Sequence, residues 1–209
     1  MKMYKIENIE YSDKEVIITY SNNNECYDLK ISTDNYVENP LVVNQEISMK
    51  FIDNIKRKEE YLKLKEYAFI LIGKYEYSSY KLTKSLLKKH SNLEDIKKVI
   101  DEFIQRGYLN DSEYISNYIE NKITKKYGRS RIKMELLNEG IENLDETLFE
   151  KYDDIEIDNA RKLTDKYIKK HQNISADKLQ QKLYRYLYGL GYEEQAIERI
   201  FKENNLIYY

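Results

Sequence analysis

The sequence predicts a mainly α-helical fold, in which three tandem three-helix repeats form an elongated, curved array. A small N-terminal α+β region with a short antiparallel sheet precedes them. Three observations lead there. Apolar residues recur at helical spacing from about residue 47 onward, whereas the first 31 residues are rich in β-branched and aromatic side chains and partly alternate with period two. All six glycines lie beyond residue 70, five of them near expected helix ends. Three segments can also be laid over one another: Leu82, Leu86 and the turn before Leu93; Ile132, Leu136 and Ile141; Leu183, Leu187 and Tyr192. A repeat of this length completes its core by stacking on its neighbours.

In chain order, Met3–Ile6, Glu15–Tyr20 and Cys26–Ile31 read as strands, with the asparagine cluster Ser21–Glu25 as a turn because Asn tolerates positive φ. Ser32 can cap a short helix through Glu38, which Asn39 and the single proline, Pro40, would end. Three strands bury too little to stand alone, so they should pack on the helix that begins near Ser48. Tyr61, Leu64, Ala68, Leu71 and Tyr75 then form one apolar stripe. The expected helices are 61–75, 78–90 and 93–106; 111–126, 129–139 and 143–152; and 154–170, 175–188 and 193–204. The divisions follow as 1–60 for the α+β region and 61–110, 111–153 and 154–209 for the repeats. Gly107 and Gly140 suit the left-handed residue that stops a helix, and Asn110 with Glu113, Ser91 with Glu94, and Asn143 with Glu146 have capping spacing.

Composition narrows the function. Charged residues make up 34% of the 209, and mean hydropathy is −0.80, yet the regular apolar spacing assigns the polarity to solvated helix faces rather than disorder. Net charge is −2, unevenly placed: residues 1–60 carry 8 basic and 12 acidic side chains, the remainder 27 and 25. Cys26 is alone, which excludes an intramolecular disulfide and fits a cytoplasmic protein. No apolar run follows Met1–Lys5, and none approaches membrane-spanning length, so neither a signal peptide nor a membrane partner is expected. Tyrosine is abundant, 22 residues against 5 Phe and no Trp. Either an AT-rich coding bias or a set of stacking platforms for single-stranded nucleic acid would produce that excess.

Catalysis finds little support. His90 and His171 lack metal-ligand spacing, no nucleophile elbow or Walker glycine loop occurs, and Gly189-Leu190-Gly191 follows a helix where a dinucleotide site must follow a strand. No enzyme activity, cofactor or metal is expected. Positive charge is the remaining signal. Lys122, Lys125, Lys126, Arg129, Arg131 and Lys133 fall within twelve residues that contain no acidic side chain. Cations at a helix C-terminus gain about 0.3–1 kcal/mol each from its dipole, which explains the run structurally. A patch for phosphates or an acidic protein surface explains it functionally. Tyr127, within the run, would add an amphipathic contact. Arg161, Lys162, Lys166, Lys169 and Lys170 offer a second patch on one helix, or a solvated face.

The sequence resembles the RecX regulatory proteins. The matching residues are Arg106-Gly107-Tyr108-Leu109-Asn110-Asp111, Tyr127-Gly128-Arg129-Ser130-Arg131-Ile132 with Glu135-Leu136 and Glu139-Gly140-Ile141, and Leu187-Tyr188-Gly189-Leu190-Gly191-Tyr192. The resemblance covers about 61–209. It implies a non-catalytic protein that binds RecA filaments on single-stranded DNA, inhibits or tunes filament growth, and damps recombination and the DNA-damage response; a monomer is expected. Direct contact with single- or double-stranded DNA is also implied. Where many members carry arginines, the first repeat has Tyr77-Ser78-Ser79-Tyr80-Lys81. The competing reading is a stand-alone helical DNA-binding module or transcriptional regulator, since a three-helix unit also builds helix-turn-helix proteins. A purely structural protein array is the third.

Overall fold

The computed structural model describes residues 2–23 and 25–206. Among them are ten helices and four strands, in two compact units: Met1–Tyr75 with Leu82–Arg106, and Glu76–Lys81 with Gly107–Tyr209.

The first unit opens on an antiparallel sheet of β1 (Met3–Tyr11), β2 (Glu15–Asn22) and β3 (Glu25–Ser32), followed by α1 (Thr33–Glu38) and β4 (Glu46–Ser48). Strand order is β3-β2-β1-β4. Two features differ from the sequence reading. β1 continues past Ile6 because Asn8 to Tyr11 pair with Val16 to Thr19, and a fourth strand exists because Glu46–Ser48 pairs with Met3–Lys5. Asn23 takes the left-handed conformation expected of the turn, with φ of 50°.

Alternation along β2 sends Val16, Ile18 and Tyr20 inward. They join Ile6, Leu29 and Ile31, and α2 (Met49–Ile72) adds Ile52 and Ile55 to the same core. Ser48 caps α2, accepting from the Phe51 N–H at 3.3 Å. One 24-residue helix therefore spans both the helix expected near Ser48 and the one expected at 61–75. Glu59, buried on α2, accepts from the Ser32 N–H and hydroxyl at 2.9 and 3.0 Å and from the Asn35 amide at 3.2 Å. Burial alone would raise its carboxyl, but these donors outweigh it and hold the group below the usual value.

Further along, Leu64 and Ala68 of α2, Leu82 and Leu86 of α3 (Ser79–Leu87), and Ile96, Val99 and Phe103 of α4 (Leu93–Gln105) are buried. The cap of α4 is Asn92, which accepts from the Glu94 and Asp95 N–H groups at 3.1 and 3.4 Å, one residue later than Ser91. Glu102 ties α4 to α2 through Lys65 at 2.7 Å.

The second unit holds α5 (Asp111–Thr124), α6 (Arg129–Asn138), α7 (Thr147–Glu150), α8 (Asp153–Lys170), α9 (Ala176–Gly189) and α10 (Glu194–Glu203). Asn110 caps α5 as its spacing predicts, accepting from the Glu113 N–H at 3.2 Å. Only a single turn, α7, forms in the expected helix at 143–152, with Asp145 accepting from the Thr147 N–H and hydroxyl. Ile119, Ile123, Ile132, Leu136 and Phe149 close one core. Leu183, Leu187, Tyr192, Ile197 and Phe201 close another.

Candidate partner-binding surface

The basic run of residues 122–133 spans the end of α5, a turn and the start of α6, and the reason for its shape lies sixty residues later. α5 ends in a Schellman turn: the Tyr127 N–H donates to the Lys122 carbonyl at 3.1 Å and the Lys126 N–H to that of Ile123 at 2.8 Å. Lys126 occupies the left-handed position, at φ of 64°, where glycine is usual. The Asn159 amide donates to the same Ile123 carbonyl at 2.8 Å, which ties α8 to the end of α5.

The turn then docks on the one between α9 and α10. The Gly128 N–H donates to the Leu190 carbonyl at 2.9 Å, the Ser130 N–H to that of Gly191 at 3.0 Å, and the Tyr192 hydroxyl to that of Lys126 at 3.0 Å. The backbones touch: a Cβ on Gly128 would fall 2.3 Å from the Gly191 carbonyl carbon and oxygen. Gly191 has φ of +89° and its own Cβ would meet Arg131 at 2.3 Å, so both positions require glycine.

Charge closes the joint. The backbone N–H and Nε of Arg129 donate to the two carboxylate oxygens of Glu156 at 2.8 and 2.7 Å, and its terminal nitrogen pairs with Asp153. Glu156 is 3% exposed. Burial works against the Arg129 cation, but the hydrogen bonds from it to Asp153 and Glu156 prevail and hold its pKa above the ordinary value.

The same device recurs at the start of α3. The Ser79 N–H donates to Asp111 at 2.7 Å with the Ser79 hydroxyl on the other oxygen, and the Tyr80 ring lies over Gly140, whose φ is +78°. Lys81 sits 5.6 and 5.9 Å from the Tyr77 and Tyr114 ring centroids, much as the Arg131 guanidinium sits 4.1 Å from that of Tyr127. Twice, then, an acidic side chain from the next three-helix group caps a second helix, and a positive-φ glycine lies beneath it. Both joints are built from local polar contacts.

These contacts sort the basic residues. Glu135 accepts from Tyr118 at 2.8 Å and from Arg131 at 2.9 Å, and pairs with Lys122. Lys133 pairs with Glu146 at 2.6 Å and Glu193 at 3.5 Å. Arg161 forks onto Glu203 at 3.0 and 3.1 Å, and Lys162 pairs with Asp158 at 2.7 Å. The hydrogen bond from Lys162, with Arg161 and Lys126 acting through space, lowers the Asp158 carboxyl. Lys125, Lys126, Lys166, Lys169 and Lys170 have no carboxylate within 4.0 Å among the described residues. Their positive charge is the part left uncompensated. Sequence reasoning missed Tyr118, Glu156 and Asn159. Only Glu135 carried a local signal, its i,i+4 spacing from Arg131.

Glu135 gives the site a pH dependence. Burial raises its carboxyl, yet hydrogen bonds from Lys122, Arg131 and Tyr118 outweigh this and bring it to about 2, from 4.5. A folded value below the unfolded one stabilises the fold fully above the unfolded value, and that contribution is lost as pH falls through the folded one. Glu135→Gln is expected to cost about 2 kcal/mol at pH 7, allowing for partial solvent exposure. The deficit should close between roughly pH 5 and pH 2. Urea unfolding at a series of pH values, followed by circular dichroism, measures it.

A family model described as "RecX, third three-helix domain" matches residues 154–201. A curated "Regulatory protein RecX" from Clostridium beijerinckii is 30% identical over 210 residues, covering 97% of this chain and 95% of the relative. The chain belongs to the RecX family. Another family member, the regulatory protein RecX of Clostridium tetani, is 28% identical over 99% of this chain and 95% of its own length. Two solved structures share the fold. "Crystal structure of regulatory protein RecX" superimposes with a TM-score of 0.73 at 16% identity, over 95% of this chain and 99% of that one. RecX from Lactobacillus salivarius gives 0.66 at 21%, over 72% and 99%. Among the described residues, no helix is long and apolar enough to cross a membrane, and no three His, Cys, Asp or Glu side chains are grouped to hold a metal ion.

Proposed function

We propose that this RecX-family protein binds RecA filaments on single-stranded DNA and restrains their growth and recombinase activity. The observation that carries the reading is its relationship to a regulatory protein RecX across nearly the whole chain, with the family's motif residues used to join the three-helix groups. On this reading the motif arginine Arg129 shapes the protein, while Lys125, Lys126, Lys169 and Lys170 supply attraction to phosphates or to an acidic protein surface. Arg131, Lys122, Lys133, Arg161 and Lys162 act at the margin, since each already has an acidic partner. Tyr127 holds Arg131 and Lys122 over its ring.

Lys126 gives this surface its specific support. A lysine in the left-handed region costs about 1 kcal/mol relative to glycine, a cost that module packing gives no reason to retain. Lys126→Gly is therefore expected to raise stability by about 1 kcal/mol and to weaken filament binding. It should also flatten the dependence of log affinity on log salt by roughly one unit. Fluorescence anisotropy with RecA on labelled single-stranded DNA, across salt concentrations, tests this. A more stable variant with wild-type affinity and salt slope would return Lys126 to a purely conformational role.

A further inference from the structure

The two repeated joints differ at one position. At the first, Tyr80 stands two residues before the buried Leu82 of α3 and lays its ring on Gly140. At the second, the residue two before the buried Ile132 is Ser130, which has no ring to lay down. A slot of about 480 Å³ stays open there, between α6 and the α9–α10 turn. Met134 and Tyr188 form its apolar walls, and Gly189 and Gly191 contribute backbone. Met134 is 62% exposed and Tyr188 63%, an unusual amount of large apolar surface at two positions that line one slot. Tyr188 is held by stacking on Tyr184, centroids 5.9 Å apart at 13°.

We propose that this slot receives an aromatic side chain of a protein partner, seated as Tyr80 is seated on Gly140. A thioether beside a ring edge and a tyrosine face are favourable neighbours for such a group, and glycines allow close approach. The rim specifies what flanks it. Arg131 and Glu135, which pair with each other, border the slot with Glu193, which pairs with Lys133, and with Glu194, which is exposed on the first turn of α10 and has no ion-pair partner among the described residues. The occupant is thus a segment in which lysine or arginine adjoins the aromatic anchor. Joined to the proposed function, the slot is a docking point for RecA, on the far side of the chemistry from the lysines: it takes an apolar anchor with basic flanks, where they take acidic groups.

The inference rests on the RecA reading, and one experiment separates the two. Ser130→Tyr supplies the missing ring from within, as Tyr80 does at the first joint. Met134→Arg leaves the fold alone but opposes basic flanks. Binding of each to RecA filaments on single-stranded DNA is measured beside wild type by sedimentation, with circular dichroism melting as the fold check. The proposal expects at least a tenfold loss of affinity in both variants at unchanged melting temperature. Should Ser130→Tyr fail to fold, Met134→Arg decides alone. Wild-type affinity in the folded variants overturns the slot and leaves the RecA reading standing, whereas no binding by wild type overturns both. Self-association that Ser130→Tyr abolishes while RecA binding persists would assign the slot to a second copy and overturn the proposal.

Discussion

Gly128→Ala is expected to lower stability by about 3 kcal/mol or more, a large effect for a single methyl group. The added carbon would lie 2.3 Å from the carbonyl carbon and oxygen of Gly191 and 2.4 Å from the Tyr192 nitrogen. All three are backbone atoms, so no side chain can swing aside. Relief requires the two turns to part, which would break the bonds from Gly128 to Leu190 and from Ser130 to Gly191 and the Tyr192 hydroxyl bond to Lys126. Gly128 is the N-cap of α6, where alanine is itself less favourable than glycine by only about 1 kcal/mol, so a loss no larger than that, or a stabilised variant, would refute the contact. Gly107→Ala is the control: nothing lies within 4 Å of the place its methyl group would take, and only the strain of φ at +74° applies, about 1 kcal/mol. Thermal unfolding of the three proteins, followed by far-ultraviolet circular dichroism, orders them as wild type, Gly107→Ala, Gly128→Ala.

Arg129→Met is expected to cost a similar amount, about 3–5 kcal/mol, for a different reason. It strands the Glu156 carboxylate, 3% exposed, without its cation and with only the residue-129 N–H as donor. An unpaired buried charge is far more costly than a missing pair. Adding Glu156→Gln should therefore restore more than half of the loss, because the amide oxygen still accepts from that N–H and no charge remains inside. Arg129→Lys should not rescue fully, since an ammonium cannot reproduce the fork onto Glu156 and Asp153. Urea unfolding of the single and double variants forms the cycle. Additive costs would mean that the pair contributes nothing by being a pair.

These two residues show which parts of the architecture could be read from the chain. The helices α3, α6 and α9 were legible because Leu82, Leu86, Ile132, Leu136, Leu183 and Leu187 keep the spacing that buries one face, and the ends of α4 and α6 because Gly107 and Gly140 stop helices by local conformation; the unbroken span of α2 and the extent of α7 were not. The short strand Glu46–Ser48 was not, because three residues carry no period and gain their structure by pairing with Met3–Lys5. Gly191 read only as part of a helix ending. Its second role, admitting the backbone of Gly128, depends on a contact between residues 63 positions apart that leaves no periodic trace. The basic run was legible as charge but not as function: the acidic residues that neutralise Arg129 come from α8, those that pair with Lys133 from the residues just before α7 and α10, and Glu135, which neutralises Arg131, comes one turn along its own helix. What sequence could not separate was a cation that shapes a joint from one that faces outward.

That separation underlies the functional account. Gly128, Arg129 and Gly191 build a joint between three-helix groups, and in the proposed function the surface beside it, with lysines at one place and an open slot at another, is what meets RecA. Many modest contacts of this kind favour a polymer over its free subunit, because a second contact on a neighbouring protomer forms at high effective concentration. The most direct measurement is RecA's single-strand-dependent ATPase and filament length with this protein at equimolar amounts. The account predicts that both fall, and that RecA captures the protein more strongly with single-stranded DNA and a nucleoside triphosphate present than without. Unchanged ATPase and filament length, with no capture under either condition, would contradict it.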